Sequence, residues 1–238
     1  MAGLNVEYRE AAGGDAAYHI IEYERSRPTD LIVMPTRGGG VFERLLRSSV
    51  TERVLRGVEC PVWTGNVRER QVARPRIASI ACGIDLGARS ADVLRWAGGF
   101  AERFGAPLTI IHANERWDSA NRAAGDPDHH VKRELRSRLN RLLAKSGVEA
   151  EIQLVDGAPA AAVPLAAECL GADMLVIGRS PKGPAGTRSD GLDIIRRSRC
   201  WVVSVDPTAY PYEEYETSET AALAAVCDSG TKLKYSDA

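Results

Sequence analysis

Residues 30–35 read DLIVMP and residues 173–178 read DMLVIG, an offset of 143 at which Gly14 also falls on Gly157. A second echo follows. SVTERVLRGVEC at 49–60 returns as SDGLDIIRRSRC at 189–200, where Val54, Leu55, Arg56 and Cys60 meet Ile194, Ile195, Arg196 and Cys200 at an offset of 140. The later copy is three residues shorter between its apolar run and the segment after it. Copies of one unit share one local structure, so whatever these segments form, the chain forms it twice. Met1 falls part way into the first unit, and about half of that unit has no counterpart in the sequence. Two readings follow: a chain of one and a half copies, or a natural start upstream of Met1.

The later copy can be read from its beginning, near Arg76. The apolar run RIASIACGID ends at Asp85. Val93, Trp96, Ala97, Phe100, Ala101 and Phe104 then recur at helical spacing, Gly105 ends that helix, and LTIIHA follows as a strand. After a polar loop through Asp126 and Pro127, VKRELRSRLNRLLAK places Val131, Leu135, Leu139, Leu142 and Leu143 on one stripe, with charged residues around it. A strand at 151–155, a small-residue helix at 158–170, the strand DMLVIG, a helix near 190–198 and the strand WVVSV complete the unit. Strands alternating with helices, several of them almost continuously apolar, predict an α/β fold: a three-layer sandwich with a mostly parallel five-stranded sheet, plus an incomplete second copy. The expected organisation is a half domain at 1–66, a polar linker at 67–75, a complete domain at 76–206 and an acidic, tyrosine-rich tail at 207–238. The complete copy has five strands and four helices to close a core; residues 1–66 do not.

Composition excludes several classes of function. A net charge of −1 gives no general attraction to nucleic acid or to anionic membrane. No run approaches the roughly 18 apolar residues of a spanning helix, and no secretion signal opens the chain, so the expected compartment is the cytoplasm. Cys60, Cys82, Cys169, Cys200 and Cys227 show no CxxC spacing, and four of them lie in or beside apolar runs, as reduced buried thiols do. The adjacent His129 and His130, near Asp126 and Asp128, read as solvated side chains and no metal site is expected.

The order of these segments resembles the universal stress protein family over about residues 4–206. In copy one DLIVMP, GGG, SVTERVLR and CPVW stand in the order in which that family has its last strand-loop-helix-strand segment. The resemblance implies a five-stranded α/β sandwich of the adenine nucleotide α-hydrolase type, ATP binding in many members, and pairing through the last strand. It also implies a phosphate loop, written GxxG, nine residues, then Gly and Ser or Thr, with an Asp at the end of the first strand that holds the adenosine.

Carried onto copy one, the loop positions are Pro35, Gly38, Ser48 and Ser49, so two of three glycines are replaced and the aspartate has no counterpart. In copy two Asp85 and Gly178 match, but Pro181 stands at the second glycine. The helix register then places Arg188 and Ser189 at the last loop positions, and a strict count of nine places Gly191 and Leu192 there. The candidate adenine-nucleotide site is thus Asp85, Gly178, Arg179, Ser180, Arg188 and Ser189, with Lys182 as a further charge for phosphate. The residues alone offer Asp85 a second role, capping the helix that follows it. No Ser, His and Asp set is legible at the strand ends, and His112 inside LTIIHA reads as a packed histidine.

The expectation is a non-enzymatic stress-response or regulatory module with degraded nucleotide loops and no resident cofactor. Its alternative is an ATP-binding switch with slow hydrolysis at the site of 76–206. The edge strands 61–65 and 201–205 follow the repeated helix and cysteine in each copy, so the resemblance places both at the family's pairing edge. Intrachain pairing of the two copies is expected there, with a homodimer formed elsewhere on the half copy.

Overall fold

The computed structural model describes residues 6–10, 13–35, 50–65, 77–115, 127–179 and 190–209. The copy-one loop positions Gly38, Ser48 and Ser49, the linker and the tail beyond Ala209 lie outside these residues. Among the described residues the elements follow in the order α1 (Ala16–Ser26), β1 (Ile32–Pro35), α2 (Val50–Gly57), β2 (Val62–Gly65), β3 (Ile80–Gly83), α3 (Ser90–Phe104), β4 (Leu108–Asn114), α4 (Pro127–Ser146), β5 (Glu151–Asp156), α5 (Pro159–Cys169), β6 (Met174–Gly178), α6 (Asp190–Arg197) and β7 (Trp201–Val205).

Local chemistry sets several of the boundaries. The Asp15 side chain accepts from Ala17 N at 3.2 Å and starts α1. Pro159 occupies the first turn of α5, where its missing N–H costs nothing. Gly14 and Gly157, which coincide in the repeat, both have left-handed backbone, with φ of 88° and 113°. A side chain would strain that turn, which leads into α1 in one copy and α5 in the other.

One sheet runs through the molecule in the order β1-β2-β7-β6-β3-β4-β5. The five strands of the complete copy are mutually parallel, as are β1 and β2, and the two sets meet where β2 runs antiparallel to β7. In that junction Val62, Trp63 and Thr64 lie opposite Ser204, Val203 and Val202. Among the described residues the sheet therefore has seven strands, not the five expected for the complete copy by itself. The reason is that β7 would otherwise expose a row of unpaired N–H and C=O groups, and β2 supplies partners for them.

Helices cover both faces. α1, α2, α5 and α6 share one apolar cluster that includes Ala17, Val54, Leu55, Val163, Ile194 and Ile195. α3 and α4 cover the opposite face through residues such as Val93, Leu94, Phe100 and Leu139. Cover on both faces explains why Met174 to Ile177 of β6 are all buried and why that segment reads as an unbroken apolar run. Trp63 of the half copy enters this second cluster, edge-on to Trp201 at 6.0 Å and to Phe100 at 6.3 Å. The tryptophan of β2 is thus buried against α3.

Cys60, Cys82 and Cys200 are buried and unbridged, whereas Cys169 at the end of α5 is exposed, contrary to the expectation for a thiol beside an apolar run. Burial pushes the Cys82 thiol up from 9.0 to about 12. Cys60 also rises from 9.0 to about 12, through burial first and the neighbouring Glu24 carboxylate second. Above pH 9 the unfolded chain releases these two protons and the folded chain keeps them. Folding stability is therefore expected to fall as pH rises from 9 towards 12. Chemical denaturation at pH 8.5 and 10.5 checks this: Cys82→Ala should show a shallower loss than the parent, and an identical loss would refute the assignment.

Candidate functional site

In a doubly wound sheet, ligands bind beyond the carboxyl ends of the strands. β3 and β6 are parallel neighbours with Gly83 opposite Ile177, so Asp85 and Gly178 leave the same edge side by side. Asp85 sits on an exposed turn between β3 and α3. Two bonds fix the start of that turn: Ile84 N donates to Ile111 O at 3.0 Å, and the ring Nδ1 of buried His112 lies 2.7 Å from Ile84 O. The histidine is a packed strut for the site loop.

The Asp85 carboxylate accepts from Gly87 N at 2.7 Å and from Ser90 Oγ at 2.8 Å, both at Oδ1. It thereby closes the turn that launches α3, where backbone N–H groups lack partners within the helix and favour negative charge. The formal cap residue, Arg89, makes no side-chain capping bond. Oδ2 makes no hydrogen bond among the described residues, so the exposed carboxylate retains acceptor capacity for a hydroxyl or amine. Sequence reading missed the buried Ser90 and the left-handed Leu86, with φ of 59°. The spacing D-x-G-x-x-S from Asp85 to Ser90 was the available signal for the first.

Gly178 has a packing explanation. A Cβ there would come within 2.9 Å of Val93 Cγ2 on α3, so the strand end is glycine because the helix crosses it closely.

Arg179 requires a correction. Expected as a phosphate donor, it points across the end of β7 to the half copy. Its Nη1 donates to Leu55 O at 3.0 Å, and its Nη2 donates to Glu59 O at 2.9 Å and Cys60 O at 2.7 Å. The carbonyl end of a helix carries partial negative charge and unpaired acceptors, and the α2 terminus presents these beside β7. Glu24 of α1 holds the same turn from its donor side, accepting from Glu59 N at 3.0 Å and Cys60 N at 3.1 Å. The motif position is thus a clamp between copies, on the side of β6 away from Asp85.

Ser180, Lys182, Arg188 and Ser189 lie outside the described residues, and Gly191 and Leu192 open α6. At the carboxyl edge the charged residues that follow the other strand ends are Asp85, Glu115, Asp156 and Asp206, and the exposed Arg89 stands on the turn between β3 and α3. Among the described residues no cluster of three or more His, Cys, Asp or Glu could hold a metal ion, and no helix is long and apolar enough to cross a membrane.

A parallel sheet wound by helices on both faces, with an Asp at the end of one strand and a Gly at the end of its neighbour, defines a doubly wound α/β protein with a ligand-type edge. The universal stress protein family model matches residues 2–64 and 77–206, and the chain belongs to that family. A universal stress protein of Methanocaldococcus jannaschii is 42% identical over 55 residues, 23% of this chain and 32% of the relative. One of Mycobacterium tuberculosis is 25% identical over 109 residues, 46% of this chain and 37% of the relative. The chain thus matches about a third of the length of these relatives. Among solved structures, a universal stress protein from Archaeoglobus fulgidus superposes with a TM-score of 0.60 at 22% identity, covering 81% of this chain and 66% of that one. That similarity shows the fold.

Proposed function

We propose that this chain is a non-enzymatic stress-response module of the universal stress protein family, cytoplasmic, with nucleotide loops that no longer bind tightly. The observation that carries this reading is the use made of the motif residues. Asp85 closes the turn before α3, Gly178 makes room for α3, and Arg179 clamps α2. Each motif residue described at that edge thus has a structural task. No positioned nucleophile and base stand together there, so hydrolysis has no machinery among the described residues. A homodimer, if formed, uses a surface other than β7, because β2 occupies that edge.

A second reading rests on one feature, the exposed Oδ2 of Asp85. It could accept from a nucleoside hydroxyl while Ser180, Arg188 and Ser189 met the phosphates, giving an ATP-binding switch. Calorimetric titration of the full chain with ATP and magnesium separates the two. The expected result is no saturable binding at micromolar concentrations. Micromolar binding that is lost in Asp85→Asn would overturn the first reading and establish the second.

A further inference from the structure

α4 is the most basic element of the fold. It carries Lys132, Arg133, Arg136, Arg138, Arg141 and Lys145 against Asp128 and Glu134, in a chain whose net charge is −1. Three of these cations, Lys132, Arg133 and Arg136, line a groove of about 460 Å³ whose other wall is Gln153 and Leu154 of β5. β5 ends the sheet and pairs with β4 alone among the described strands. The groove therefore combines clustered positive charge with a strand edge whose N–H and C=O groups face outward.

We propose that this groove binds the acidic segment 210–219 of the same chain. The segment reads YPYEEYETSE, with Glu213, Glu214, Glu216 and Glu219 and no lysine or arginine. Tyr210, Tyr212 and Tyr215 stand among the glutamates, and tyrosine rings stack on guanidinium groups such as those of Arg133 and Arg136. The ends also lie within reach. β7 delivers the chain to the carboxyl edge of the sheet at Asp206, and α4 starts from that edge, because it follows the end of β4 and precedes the start of β5. Lys132, Arg133 and Arg136 belong to its first half. Three strands separate β7 from β5, so the gap is four strand spacings, roughly 19 Å. From Asp206 the seven residues to Glu213 span up to roughly 23 Å and the thirteen to Glu219 up to roughly 43 Å.

The segment supplies carboxylates where the groove supplies cations. It is also tethered, which raises its effective concentration above that of a competing acidic peptide. Occupation would neutralise the basic face of α4, and release of the segment would expose it.

Zero-length carbodiimide coupling of the full chain at low salt tests the contact, because it joins a lysine to a carboxylate only when the two touch. The chain has five lysines, of which Lys132 is the one in the groove. The expected product joins Lys132 to one of Glu213, Glu214, Glu216 or Glu219 within a single chain, and it disappears in 1 M salt, where the Debye length is about 3 Å. Mixing isotopically light and heavy protein identifies the source. Products joining light to heavy chains alone would assign the groove to a second copy's tail and overturn the proposal. A second measurement is independent of Lys132. Cleavage at the tail glutamates by a glutamate-specific protease should run about fivefold faster in Arg133→Glu/Arg136→Glu than in the parent, as expected for the loss of a few surface ion pairs. Both side chains are exposed, and thermal melting confirms that the variant folds. The proposal requires both results, and failure of either overturns it.

Discussion

Val203→Pro is expected to lower folding stability by about 3 kcal/mol or more. Val203 is fully buried at the middle of β7, with Trp63 of β2 on one side and Val176 of β6 on the other. Proline removes a ladder donor and forces its ring into the neighbouring strand, and interior strands do not tolerate either. β7 is also the seam through which the half copy joins the rest, so the substitution acts on both copies at once. For a domain of this size the melting temperature should drop by roughly 6–12 °C. Differential scanning calorimetry provides the check. Val62→Pro makes the comparison, since it should release α1, β1, α2 and β2 while leaving β3 to β7 paired, and so produce an early partial transition. Parental melting in both variants would mean that neither strand is paired.

Arg179→Met should cost about 2–4 kcal/mol, because three carbonyl groups, of Leu55, Glu59 and Cys60, lose one charged donor at the same time. Methionine keeps much of the aliphatic volume, so the loss isolates the guanidinium. The turn before β2 would then be held by Glu24 alone, and the negative end of α2 would face that carboxylate without a cation between them. Urea denaturation measures the effect. The same variant decides between the two roles of the residue. A phosphate ligand would show weakened nucleotide binding at unchanged stability, whereas a clamp shows lost stability first. An unchanged urea midpoint would return Arg179 to the nucleotide loop.

Much of this architecture was legible because it follows from local rules. The alternation of apolar strands with amphipathic helices gives the parallel α/β class, since a strand buried on both faces must be apolar throughout. The stripe of Leu135, Leu139, Leu142 and Leu143 fixes one face of α4, and the repeated glycine at 14 and 157 marks a left-handed turn in both copies. The packed His112 follows from residue type and position, and the geometry agrees. The capping role read for Asp85 does not hold, because its carboxylate binds Gly87 N and Ser90 Oγ within the turn while Arg89 stands at the cap position of α3.

The role of Arg179 could not be read this way. It follows Gly178 in a motif that elsewhere contacts phosphate, and nothing local indicates that the carbonyl end of α2, about 120 positions earlier, lies within reach. The same holds for Trp63, which reads as an edge-strand residue of an incomplete unit and is buried against Phe100 and Trp201 of the other copy. Likewise the cationic face of α4 forms a groove with β5, the end strand of the sheet among the described residues. The sequence by itself determined periodicity, turns and the repeat, because each depends on neighbours a few residues away. The tertiary structure alone decided which polar groups were left without partners when the half copy met the complete one. Burial makes such groups costly, and that cost drew Arg179 away from the loop and onto α2.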